Sequence, residues 1–446
     1  MPAVQVAWEG CRVSVTGKAA RGRAITGPGQ MPIWDGLSEG AAAQPEDSVI
    51  ERRSPRQYAN TNPDMLAWAR SSGGFSLEFA ARRLRINEAR LREWESAVAR
   101  PTIPQLREIA RLYKRPLAAF FLAARPTDFT LPKDYRRLPG DPPSAYSPAL
   151  LFGLRTASYR RDVALELEPD PVATALFAAR KQEESAEDVA GRIRSALGIR
   201  LSDQRSWSGK YDALNGWKNA AERLGVLVFH FTDVLVEEAR GFSLVERVLP
   251  VVALNGSDSI NGRVFSLAHE LGHIAVGGGG TCDLVFRTQA SGADESEVFA
   301  NRFAGALLVP RESLLADPKV SRATRRTEWS DAQLERLAHA FRVSREVVLR
   351  RLLILERTDE AFYRSRRAEL LALPRPGRAD KPGRPAVAVM VLRDVGKPFA
   401  RLVLDAYRAA LITGNDVSDY MGVRLKHLPK IEARLAGPDM LTGGEP

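Results

Sequence analysis

The sequence is poor in several features that define protein classes. Its 446 residues include two cysteines, Cys11 and Cys282, which excludes a disulfide framework and a zinc site made of cysteines alone. No apolar run approaches the roughly 18 residues that cross a bilayer. The N-terminus lacks a basic stretch followed by an apolar one, so it predicts no signal peptide. These absences favour a cytoplasmic protein without a membrane partner.

Charge is unevenly distributed along the chain. The net charge is +11, and residues 51–140 alone hold 18 Lys and Arg against 9 Asp and Glu. A basic concentration within one module is expected of a protein that contacts nucleic-acid phosphates. A solvated basic face has the same composition, so charge alone leaves both interpretations open.

Periodicity predicts a mostly helical α+β protein with a small sheet. Short apolar runs between turn residues indicate strands at 226–229, 241–244, 250–255 and 386–391. Apolar residues at helical spacing predict long helices at 261–276, 294–308 and 331–355.

Seven consecutive parts differ in composition and pattern. Residues 1–57 are predicted to be disordered or to lie upstream of the functional start. The parts are a disordered arm (1–57), a five-helix bundle (58–127), a helical connecting region (128–205), a core with a small sheet (206–325), a helical segment (326–372), a Pro/Gly/Arg-rich linker (373–385) and a small C-terminal domain (386–446).

The bundle at 58–127 has a pattern typical of a helix-turn-helix. Ser76 and Asn87 are the predicted N-caps of two short helices joined by a tight connection. The first helix would cross the DNA backbone and the second would enter the major groove. Acidic residues in the second helix repel phosphate, so docking onto a protein of similar fold stays open as another use. The candidate DNA contacts are Arg82, Arg83, Arg85, Asn87, Glu88, Arg90 and Arg92.

The strongest motif is His269-Glu-Leu-Gly-His273, which contains two of the five histidines in the chain. Residues four apart on a helix project from one face, so both imidazoles can bind one zinc ion. Glu270 follows the first histidine and can act as general base toward a zinc-bound water.

A catalytic zinc needs a third protein ligand and one open position. No third histidine follows at the spacing of the extended zincin motif, so a carboxylate on the next helix is expected. Glu297 is the first candidate because it flanks the apolar stripe of that helix. Asp294 and Glu295 are competitors that fit better as solvated first-turn acids. His230 and Cys282 are interpreted as structural residues.

Two resemblances to known families follow from these segments. The first is to the ImmA/IrrE family of bacterial zinc metallopeptidases, and it rests on His269-Glu-Leu-Gly-His273, Glu297-x-x-Ala300-Asn301 and Phe303-Ala304-x-x-Leu307-Leu308-x-Pro310. Two further segments resemble the substrate-side strand region of that family. They are Gly241-Phe242-Ser243 and Asn255. The second is to XRE-type helix-turn-helix domains, carried by Asn62-Pro63, Trp94-Glu95, Pro101-Thr102 and Lys114-Arg115-Pro116.

The resemblance implies a zincin-like core in which His269, His273 and Glu297 bind Zn²⁺ and Glu270 activates water. It also implies that Asn255 contacts the substrate. A repressor or antitoxin-like protein would be cleaved to control transcription, in a stress, phage or mobile-element, or toxin–antitoxin setting. DNA would be the partner of the bundle, and a homodimer stays open.

Two further interpretations stay open at this point. A transcriptional regulator could use the peptidase-like core to sense a ligand or bind a partner without proteolysis. An intact Glu270 favours the enzyme, because a sensor has no need of a base. Residues 330–338 and 343–348 form a second pattern like a helix-turn-helix, and its mixed surface charges favour a packing or partner-binding role.

Overall fold

The computed structural model describes residues 57–126, 146–177, 180–181, 184–277, 281–282, 295–372 and 385–437. The predicted arm and linker lie almost entirely outside these residues. Within them the chain is mostly helical with one small sheet, as the sequence predicts. None of the helices in these ranges is long and apolar enough to cross a membrane.

Residues 63–121 form a small bundle with its own apolar core. Its elements are α1 (Pro63–Ser72), α2 (Leu77–Leu84), α3 (Glu88–Glu95), α4 (Ile103–Tyr113) and a 3-10 helix (Leu117–Phe121). Trp68, Trp94 and Phe120 are buried at its centre. Each of these α-helices is capped at its N-terminus by a side chain that accepts a backbone N–H. The four capping residues are Asn62, Ser76, Asn87 and Thr102.

Four helices connect the bundle to the sheet. They are α5 (Pro148–Leu167), α6 (Ala186–Leu197), α7 (Leu201–Ser206) and α8 (Lys210–Arg223). Nζ of Lys114 in the bundle lies 5.7 Å from the centre of the Phe152 ring on α5. The bundle therefore contacts the connecting region directly.

The sheet has four strands in the order β1-β3-β2-β4. These are β1 (Leu227–Phe231), β2 (Gly241–Leu244), β3 (Val251–Asn255) and β4 (Thr281–Cys282). β1 runs parallel to β3, while β2 pairs antiparallel with both β3 and β4. The three strands predicted between residues 226 and 255 are confirmed.

One face of the sheet packs against α9 (Ile260–Val276), beside which runs α10 (Glu295–Leu308). Val228, Val252 and Leu254 lie on this face. The same apolar core takes in helices that follow α10 in sequence, α11 (Arg311–Leu315), α12 (Pro318–Arg322), α13 (Asp331–Phe341), α14 (Arg345–Ile354) and α15 (Glu360–Ala372).

The second helix-turn-helix-like pattern corresponds to α13 and α14. The chain turns between them at Arg342, whose φ is 53°, so the long helix predicted at 331–355 is two helices. Val347, Val348 and Leu352 of α14 are buried in the core that surrounds α9. The pair therefore packs in the core, and the partner-binding role stays a prediction.

The other face of the sheet is covered by α5 and the C-terminal helices. These are α16 (Val387–Val395), α17 (Lys397–Arg408), α18 (Gly414–Met421), a 3-10 helix (Leu425–His427) and α19 (Leu428–Ala436). The strand predicted at 386–391 is wrong, because this segment is the start of α16. Its buried residues are spaced as on a helix, at Ala388, Val391, Leu392 and Val395.

Candidate metal centre

Helix α9 places the two histidines of the motif side by side. Ser259 caps its N-terminus by accepting the backbone N–H of Gly262 at 3.0 Å, and Gly277 ends it with a φ of 77°. His269 and His273 are fully buried, and their Nε2 atoms lie 3.1 Å apart. The spacing of four residues thus directs both imidazoles to one point.

Helix α10 brings Glu297 to the same point. Its Oε1 lies 3.2 Å from Nε2 of His273, and its Oε2 lies 3.5 Å from Nε2 of His269. The approach depends on Gly272, because a Cβ at this position would lie 3.0 Å from Cα of Ala300 on α10. A glycine inside the motif therefore allows the two ligand-bearing helices to touch.

The three side chains form a donor set suited to a divalent metal ion. One ligand atom from each lies within 4.8 Å of the other two. Bond lengths near 2.0–2.2 Å in a tetrahedral site put neighbouring ligand atoms about 3.3–3.6 Å apart. The separations of 3.1, 3.2 and 3.5 Å are close to that range. Two imidazole nitrogens and a carboxylate oxygen are also the ligands of catalytic zinc sites with an open fourth position.

Electrostatics keep Glu297 ionised. Burial raises the pKa of this carboxyl, but the hydrogen bonds and charges of His269 and His273 outweigh burial. The pKa of Glu297 is therefore held far below its ordinary value. A deprotonated carboxylate beside imidazole nitrogens is the state that binds a cation.

Glu270 is buried between α9 and β2. A Cβ at Gly241 would lie 3.3 Å from its Oε1, so the glycine at the start of β2 leaves room for this carboxyl. Burial raises the pKa of Glu270, against the opposing effects of His269, His273 and the Ser243 hydroxyl. A carboxyl with a raised pKa holds a proton more readily than an ordinary carboxyl.

Among the described residues, the group that could hold a metal ion consists of His269, His273 and Glu297. Glu295 is exposed at the start of α10, and Asp294 lies outside the described residues. Nδ1 of His230 on β1 lies 2.8 Å from the carbonyl oxygen of Arg393, which fits the structural role predicted for it. Cys282 belongs to β4.

Asn255, the residue expected to contact substrate, makes several hydrogen bonds at the end of β3. Its side chain is fully buried, and Nδ2 donates to the carbonyls of Val234 at 3.0 Å and Ala239 at 2.7 Å. Its Oδ1 accepts the backbone N–H of Ser257 at 2.9 Å. These bonds hold the segment before β2 on the end of β3, and the contact of Asn255 with substrate stays a prediction.

The candidate DNA contacts lie at the end of α2 and in the first part of α3, including its N-cap. Arg82, Arg83 and Arg85 are exposed, and Arg85 ends α2 with a φ of 57°. Three cations therefore lie close together on the surface of the bundle.

On α3 the charges are largely paired. Asn87 caps the helix by accepting the N–H of Arg90 at 2.8 Å. Arg90 pairs with Glu93 at 2.9 Å, and Arg92 lies 3.8 Å from Glu88. Acids of the same helix therefore neutralise these arginines, and the unpaired positive charge of this region is greater on α2.

One contact at the centre was not anticipated from the sequence. Oγ of Ser296 lies 3.2 Å from Nδ1 of His273, and Ser296 precedes Glu297 on α10. Residue spacing gives no signal for this contact, because it depends on how α10 docks against α9.

Comparison with known families identifies the part of the chain that holds this centre. Residues 221–353 match the family model of the IrrE N-terminal-like domain, Peptidase_M78. The Peptidase_M78 match begins in α8 and ends in α14, so it contains β1–β3, both ligand-bearing helices and Glu270. It supports the ImmA/IrrE peptidase family and a metal-dependent peptidase in this part of the chain. A comparison with curated proteins gives no match.

Proposed function

We propose that this protein is a zinc-dependent endopeptidase that cleaves a repressor-type or antitoxin-like protein in the cytoplasm. Cleavage would control transcription, and the bundle at 58–127 would couple the peptidase to DNA. The observation that carries the proposal is the convergence of His269, His273 and Glu297 next to a buried Glu270 within the Peptidase_M78 match.

The donor set fits zinc, which when bound would polarise the scissile carbonyl and lower the pKa of a water molecule. Glu270 would take the proton from that water and later give it to the leaving amine. Its burial supports this role, because a raised pKa lets the carboxyl hold the proton between the two events. His269, His273 and Glu297 would hold the ion in place throughout.

The burial of the centre affects the electrostatics that the proposed chemistry would use. Both histidines and Glu270 are almost completely inaccessible to solvent. Electrostatic interactions are stronger in such an environment, which strengthens the effect of a bound ion and of the Glu270 carboxylate on nearby groups. A module that only bound a ligand would not require a buried base beside the metal ligands.

The variant Glu270→Gln tests this function. It keeps the shape of the side chain and removes the base, so we expect zinc content and thermal stability to be retained. Proteolysis should fall by about 10²–10⁴-fold. Zinc is measured by elemental mass spectrometry, and proteolysis by quantitative proteomics of cells that carry either variant. The expected result is a repressor or antitoxin-like protein whose amount rises in the Gln variant.

Glu295→Gln is the matched control, because Glu295 is exposed on the same helix as the carboxylate ligand. It should leave both zinc content and the proteome as in the wild type. If protein levels were identical in wild-type and Glu270→Gln cells and the transcriptional response were intact, the peptidase proposal would be rejected. A regulator that acts without cleavage would then be favoured.

A further inference from the structure

Two consecutive residues of α10 contact the imidazole of His273 from both of its nitrogen atoms. Nε2 lies 3.2 Å from Oε1 of Glu297, and Nδ1 lies 3.2 Å from Oγ of Ser296. Both residues belong to the first turn of α10, and α10 packs closely on α9 at Gly272. The start of one helix therefore contacts both the ligand side and the outer side of the ring.

A hydrogen-bond partner at Nδ1 has a direct chemical consequence. A neutral imidazole carries its single N–H on one nitrogen, and only the other nitrogen can bind a metal ion. The Ser296 hydroxyl can accept the N–H of Nδ1, which leaves the lone pair on Nε2. This nitrogen is the one that lies beside His269 and Glu297.

We propose that Ser296 is a positioning residue of the metal centre. By accepting the Nδ1–H of His273, its hydroxyl fixes the tautomer and the ring orientation that zinc binding requires. This inference rests on the proposed zinc-dependent function and adds to it a residue whose hydroxyl contacts the ligand His273 at the nitrogen opposite Glu297. Outer partners of this kind contribute roughly 10–100-fold to metal affinity.

The second histidine provides an internal comparison. Nδ1 of His269 is buried and makes no hydrogen bond to any residue that the structure describes. Its ring lies near that of Phe265, with centroids 6.4 Å apart. Among the described residues, Nδ1 of His273 therefore has a polar partner, whereas Nδ1 of His269 has none. Loss of the Ser296 hydroxyl should weaken one ligand only.

The zinc affinity of the metal-free full-length chain tests the proposal, measured by competition with a chromophoric chelator. Ser296→Ala should weaken zinc binding by about tenfold or more, because Nε2 of His273 is no longer kept unprotonated and aimed at the ion. Ser296→Thr retains a hydroxyl and should stay within about threefold of the wild type.

Ser266→Ala is the matched control. Ser266 lies on α9 three residues before His269, is buried, and has no hydrogen-bond partner for its hydroxyl among the described residues. Its removal should leave zinc affinity unchanged. Nitrogen-15 NMR of the histidine side chains gives a second readout, since the Nδ1 proton of His273 should be visible in the wild type and the Thr variant and lost in the Ala variant.

The outcomes separate this inference from the function on which it rests. Equal zinc affinity of Ser296→Ala and the wild type would overturn the role of Ser296 and leave the zinc centre intact. If the wild type itself bound no zinc, the proposed zinc-dependent function would be rejected, and the role of Ser296 would be rejected with it. If Ala and Thr variants lost zinc equally and the metal-free forms also melted earlier, Ser296 would be a folding residue and the inference would be rejected.

Discussion

Gly272 lies between the two histidines of the motif, on the side of α9 that faces α10. A side chain there would meet Cα of Ala300 and Cδ1 of Phe303, both at 3.0 Å. The Cα atom cannot move without the helix that carries Glu297. Gly272 is not a candidate ligand, but its lack of a side chain determines how closely the carboxylate of Glu297 approaches the two histidines.

Gly272→Ala should therefore damage metal binding and stability together. We expect the unfolding free energy to fall by about 1–3 kcal/mol, as for other overpacked sites, and zinc affinity to fall because α10 shifts outward. Chemical denaturation and chelator competition measure the two effects. Gly305→Ala on α10 is the control, since its Cβ would make an ordinary 3.5 Å contact with Cδ of Arg351. Equal behaviour of the two variants would contradict this account.

At the scale of elements, α14 shows how a helix that resembles a recognition helix can be a core element instead. Arg351 is 1% exposed, and its guanidinium donates to Glu187 of α6 at 2.7 Å and to the carbonyl of Val309 at 2.8 Å. The arginine joins α14 to α6 and to the end of α10. These contacts bury one side of α14 in the core.

Arg351→Ala should cost much more stability than the loss of a surface arginine from the same helix. Removal of one partner of a buried pair is expected to lower the unfolding free energy by about 3–5 kcal/mol. Arg345→Ala, whose pairs with Asp331 and Glu335 are at 3.4 Å on the surface, should cost about 1 kcal/mol or less. Urea denaturation of both variants measures the difference, and similar losses would show that the buried pair is not a main support of α14.

The elements also show what the sequence could predict. The histidine spacing on α9 and the position of Glu297 on α10 were accessible, because each depends on periodicity within one helix. The segment at 386–391 was misassigned because its apolar residues are too uniform to reveal a period. The period becomes clear only when Leu392 and Val395 are included. Contacts between helices, such as Ser296 with His273, had no local signal at all.

At the scale of the whole molecule, the bundle and the peptidase core differ in the kind of surface they present. The bundle has its own apolar core and an exposed group of arginines at the end of α2. The core at 221–353 holds the metal centre in its interior. DNA binding and proteolysis should therefore be separable by mutation.

Replacement of both Arg82 and Arg83 by alanine tests the bundle. With a random-sequence DNA duplex as the probe, we expect weaker binding and a salt dependence of log affinity that is less steep by about two, one for each lost phosphate contact. Fluorescence anisotropy over a salt series measures both, and zinc content should not change. Arg424→Ala, an exposed arginine in the C-terminal helices, is the control. No binding by the wild type, or an unchanged slope, would favour docking of the bundle onto a protein.

The C-terminal helices cover the face of the sheet that lies opposite the candidate metal centre. The rings of Phe229 on β1 and Phe399 on α17 meet edge to face at 5.7 Å, and the Arg393 carbonyl accepts hydrogen bonds from His230 and Lys218. The region recognised by family comparison ends well before these helices. The segment that matches a peptidase family is thus smaller than the segment that buries the sheet, and loss of the C-terminal helices would expose apolar side chains of β1 such as Phe229.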